Sequence, residues 1–123
     1  MNERQQNEAL MELAEWGCDI RGALNRLLNS KDLYFRLLPS VLTESSFDAL
    51  GAALEEKDVR GAFESAHTLK GVLGNLGLTP MYGEACKAVE LLRAGTLEGV
   101  DPLYETLGRQ RSFLGDILSR TAK

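Results

Sequence analysis

The sequence predicts an all-α protein: an antiparallel four-helix bundle core with one or more additional N-terminal helices. Three observations carry this. The apolar residues recur at spacings of three and four, with no alternating run of β-branched and aromatic residues. Proline and glycine fall between the periodic stretches, which leaves short loops and antiparallel neighbours. The length, 123 residues with 44% apolar and 26% charged, suits one ordinary globular unit and excludes disorder and low-complexity classes.

Taken in order, a first helix is predicted over about Glu3 to Glu15, closed by Gly17. Asp19 caps a second, which carries Ile20, Ala23, Leu24, Leu27 and Leu28 at helical spacing. Ser30 caps a third with Leu33, Tyr34, Leu37, Leu38 and Leu42, and Pro39 should kink or divide it. Ser46 or a neighbour opens the next, with Phe47, Leu50, Ala53 and Leu54. Asp58 caps a long helix reaching about Leu76. Thr79-Pro80 and Asp101-Pro102 each read as an N-cap followed by proline at the first helical position; the first of these helices ends at Gly95. Residues 1–18 are read as a helical extension and 19–121 as the bundle. Trp16 and Tyr34 are expected to pack the N-terminal helix onto it.

The charge is −4, from 14 basic and 18 acidic residues, which argues against nucleic acid as a partner. The longest uncharged stretch, Gly71 to Gly83, is broken by Gly74, Gly77 and Pro80 and is too short to span a membrane. Near the N-terminus no basic region precedes an apolar run, so no export signal is expected. Cys18 and Cys86 form no paired framework, which fits a reducing cytoplasm. With the single histidine they make three metal-type ligands at no recognisable spacing, so no metal site is expected.

That histidine is the informative residue. In the helix from Asp58, Ala62, Ala66, Leu69, Leu73 and Leu76 fall in one arc at about 100° per residue, the core stripe. His67 stands about 130° from the centre of this arc and should face solvent mid-helix. Arg60, Phe63, Glu64, Lys70, Gly71 and Gly74 share its face. Each glycine inside a helix costs about 1 kcal/mol relative to alanine, which a purely solvated face has no reason to bear. Gly71 and Gly74 would clear a path to the imidazole for another molecule, although close helix packing would also account for them. Lys70, one turn on, would favour an anion such as a phosphoryl group. Phe63 reads as a docking residue or a half-covered rim. Arg60 and Glu64 read as solvated charges or steering groups, Cys86 as a small core residue, and Glu55 to Asp58 as a solvated turn ending in a cap.

The stretch from Ala66 to Gly77 resembles the signature of histidine phosphotransfer (HPt) domains: a histidine, a lysine three on, a glycine four on, then small residues before a closing glycine. Weaker likeness covers Asp19 to Leu38, Phe47 to Asp58 and Cys86 to Leu91. The resemblance implies a four-helix bundle working in multistep phosphorelays. It implies that His67, through its outward-pointing Nε2, accepts a phosphoryl group from a receiver-domain aspartate and passes it to another receiver. Lys70 would compensate charge; Gly71 and Gly74 would give the partner access, with Phe63, Arg60 and Glu64 as the docking surroundings. The chain would be a phosphocarrier and not an enzyme, with no cofactor of its own, because the receiver brings Mg²⁺ and most catalytic groups. Response-regulator receivers are then the expected partners, with a hybrid histidine kinase a further candidate, and the chain itself a stand-alone monomer. Chemotaxis-type members carry a second histidine and a glutamate on the following helix. Here Cys86 stands where the second histidine would fall, which argues against that kinase route, although Glu90 is near the position of the glutamate. The alternative is a bundle that docks and sequesters receivers without transfer.

Overall fold

Side-chain oxygens start five of the helices by accepting backbone N–H groups that have no partner within the helix. In the computed structural model, which describes residues 1–122, Asn2 and Gln5 form a reciprocal capping box at the head of α1 (Glu3–Trp16), and Gly17 closes it in the left-handed region at φ +106°. Asp19 caps α2 (Ile20–Arg26) and Ser30 caps α3 (Lys31–Leu37). Pro39 then falls in a 3-10 turn over Leu38–Thr43, so the apolar stretch is divided as expected. Glu44 caps α4 (Ser45–Glu55), and Asp58 caps α5 (Val59–Asn75).

The last two helices, α6 (Thr79–Arg93) and α7 (Val100–Thr121), correct two expected caps. Thr79 is already helical and Leu78 is the N-cap; the Thr79 hydroxyl accepts the Asp19 N–H at 3.2 Å instead. Asp101 lies inside α7, which begins from Gly99 at φ +86°. The first four N–H groups of any helix lack intrahelical partners, so proline is tolerated throughout the first turn and does not fix which residue is the cap.

Helices α4 to α7 pack in sequence, each against the next, and α7 also meets α4 and the 3-10 turn. They form an antiparallel four-helix bundle, and there is no strand among the described residues. The core is apolar through its length: Phe47, Leu50, Leu69, Leu73, Met81, Leu107, Leu114 and Ile117 are all buried. Helix α1 lies along α7, burying Ala9 and Leu13 and setting Trp16 edge-on to Phe113 with ring centroids 4.9 Å apart. Arg120 pairs with Glu12 at 2.8 Å across the same seam. No described helix is long and apolar enough to cross a membrane.

The short helices α2 and α3 hold the C-terminal end of α5. Buried Tyr34 donates its hydroxyl hydrogen to Leu76 O at 2.8 Å. Arg26 donates from Nε to Asn75 O at 3.0 Å and from Nη2 to Gly74 O at 2.9 Å. Two side chains from elsewhere in the fold thus donate to three carbonyls at the end of α5, adding to the Gly77 N–H that Gly74 O already accepts at 3.1 Å.

Candidate functional site

Helix α5 divides as its periodicity predicts. Ala62, Ala66, Leu69 and Leu73 are buried, and His67 is exposed on the opposite side. The imidazole lies beside Phe63, one turn earlier, at a centroid distance of 5.8 Å, and has no hydrogen-bond partner among the described residues. On its other side the helix borders an open pocket of about 380 Å³. His67, Lys70, Gly71, Gly74 and Asn75 contribute to the lining, joined by Arg26 from α2 and Tyr82 from α6.

The two glycines play different parts. A Cβ on Gly71 would meet nothing within 4 Å. A Cβ on Gly74 would come within 2.8 Å of Tyr82 Cε1, so the space left there is already taken by this chain's own ring. Close packing accounts for Gly74; open space remains at Gly71.

Toward the start of α5, Val59, Phe63 and Leu92 form an apolar depression of about 360 Å³ flanked by Arg60 and Arg93. The Arg93 guanidinium sits 5.7 Å from the Phe63 ring centroid. Glu64 pairs with Arg60 at 3.4 Å in the open, where such a pair contributes little. Phe63 and Arg60 thus share one depression, His67, Lys70, Gly71 and Gly74 share the other, and Glu64 lines neither.

A model of the Hpt domain matches residues 42–121, which takes in α4 to α7 and His67. The chain belongs to the Hpt family. Hpt domains are helical bundles that serve as phosphocarriers in histidine phosphotransfer and interact with response-regulator receiver domains. No curated protein and no solved structure matches the chain at a significant level.

In this Hpt protein no carboxylate lines the His67 pocket, and Lys70 and Arg26 bring two cations to it. Tyr82 stays protonated: its hydrogen bond to Cys86, the charge that thiol would carry and partial burial all hold the phenol above its ordinary range. Cys86 is half-buried, not a core residue, and Glu90 is paired with Arg93. Cys18 is the core thiol, and burial pushes it up to about 12. No group of three or more histidine, cysteine, aspartate or glutamate side chains among the described residues is placed to hold a metal.

Sequence reasoning missed Arg26 and Tyr82. Tyr82 carried a faint signal, since a helical glycine facing the next helix calls for a large neighbour. Arg26 carried none: it lies 48 residues from Gly74 and reaches α5 through the fold alone.

Proposed function

We propose that this chain is a phosphorelay intermediate in which His67 takes a phosphoryl group from the aspartyl phosphate of a receiver domain and passes it to a second receiver. The observation that carries the reading is an exposed, unpartnered imidazole on a pocket that contains Lys70 and the open backbone of Gly71 but no carboxylate. In its neutral form an imidazole is nucleophilic without an added base. Its lone pair attacks phosphorus, an N–P bond forms, and the P–O bond to the aspartate breaks. The carboxylate leaves with the electron pair, and the second ring nitrogen keeps its proton until solvent takes it. Onward transfer is the same step reversed on another carboxylate.

Such a transfer needs positioning and charge neutralisation more than covalent help. Lys70 supplies positive charge here, while Mg²⁺ comes with the receiver. The bare α5 surface at Gly71 lets the receiver's active-site rim close over His67, and the Phe63 depression offers an apolar seat beside it. The bundle of residues 19–121 carries this activity, with 1–18 as a helical extension.

The test is to mix the chain with an acetyl-phosphate-charged receiver domain and Mg²⁺ and follow its mass. Gain of one acid-labile phosphoryl group, abolished by His67→Gln, is the expected result. Binding to a panel of receivers without any gain would replace transfer by sequestration.

A further inference from the structure

The placement of Arg26 goes beyond the histidine, lysine and glycine of the signature. We infer that Arg26, on α2 and outside the span matched by the family model, is a second phosphoryl-binding cation of the His67 site; this rests on the phosphocarrier reading above. Two of its nitrogens are committed. Nε and Nη2 donate to Asn75 O and Gly74 O, which holds the planar guanidinium against the last turn of α5. Nη1 has no hydrogen-bond partner among the described residues, and the side chain joins His67 and Lys70 in the lining of one pocket.

Nothing in the described structure neutralises it. Arg26 is exposed and in no ion pair. Asp19 lines the adjoining groove, but its carboxylate accepts the Gly22 N–H at 3.0 Å and caps α2. The base of α2 is fastened as well, with Asp19 N–H donating to Gly77 O at 2.8 Å. A guanidinium held by two carbonyls has lost much of its conformational freedom before any anion arrives, so less is given up on binding one. Lys70, by contrast, is a single charge on a flexible stem. Together they place two cations around a pocket bordered by the nucleophile, the charge pattern that an incoming dianionic phosphoryl group favours.

The competing account is that Arg26 only caps α5. A partner-free donor separates the two. Phosphoramidate gives up its phosphoryl group to His67 as its own P–N bond breaks, ammonia leaves and the new N–P bond forms. Labelling of the full chain would be followed by mass, with thermal melting alongside. Arg26→Gln keeps donors for the carbonyls and removes the charge; it is expected to slow uptake about tenfold, the worth of a hydrogen bond to a charged group. Arg26→Lys is expected to recover part of that rate. Uptake by Arg26→Gln at the wild-type rate would overturn the inference and leave the phosphocarrier reading standing. A wild-type chain labelled neither by phosphoramidate nor by any charged receiver would remove both. A second measurement needs no variant: inorganic phosphate titrated into the wild-type chain should shift the side-chain NMR signals of Arg26 and Lys70 together. Movement of Lys70 alone would also overturn it.

Discussion

Gly71 and Gly74 stand three residues apart on the face of α5 that carries His67, and one added methyl group should have opposite effects at the two. At Gly71 a Cβ enters open space, so Gly71→Ala is expected to stabilise the fold by about 1 kcal/mol through helix propensity alone. If Gly71 gives a receiver access as proposed, the same methyl should slow transfer from a charged receiver, while uptake from phosphoramidate changes little. At Gly74 the Cβ collides with Tyr82, and Gly74→Ala is expected to destabilise by about 1–3 kcal/mol. Thermal melts and paired uptake rates check both, and a Gly71→Ala chain with unchanged receiver transfer would remove the access role. Cys18 gives a prediction in pH. Its folded thiol is pushed up to about 12, above the ordinary value near 9, so at intermediate pH the unfolded chain has lost a proton that the folded chain keeps. Stability is full below about pH 9 and falls as pH rises toward 12, by at most about 1.4 kcal/mol per unit from this group. Denaturant melts should show that decline lessened in Cys18→Ala.

Helix α5 is held at both ends by side chains, and each end can be tested separately. Asp58→Ala removes the acceptor for Gly61 N–H and is expected to cost about 1 kcal/mol. Tyr34→Phe removes the hydroxyl that donates to Leu76 O and is expected to cost about 1–3 kcal/mol, because the carbonyl loses a buried partner. Urea midpoints would measure both. The two ends were not equally legible. Asp58, like Asp19 and Ser30, announces itself because a short polar side chain just before an apolar-periodic run has one evident task. The opposite end is closed by residues more than forty positions away, and no local pattern encodes a contact made only after collapse. The same division holds elsewhere. The buried stripe from Ala62 to Leu73 and the exposure of His67 follow from 3.6-residue periodicity, whereas the true starts of α6 and α7 do not follow from Pro80 and Pro102.

Across the whole molecule, stability and site chemistry are drawn from different regions. Leu13 is fully buried where α1 meets α7, and Leu13→Ala is expected to cost about 2–5 kcal/mol. No residue of α1 lines the His67 pocket, so the folded fraction of that variant should take up phosphoryl at the wild-type rate, as combined melting and labelling would show. The carbonyls of Gly74, Asn75 and Leu76 lead to a different consequence. Their donors, Arg26 and Tyr34, precede the span that the Hpt model matches. A chimaera that transplanted only residues 42–121 into a foreign chain would carry His67 on a helix that had lost all three of these side-chain bonds and kept only its backbone closure, such as Gly77 N–H to Gly74 O. A graft that kept this end of α5 intact would need α2 and α3 as well, and α1 too, because its Leu13 fills the core against α7.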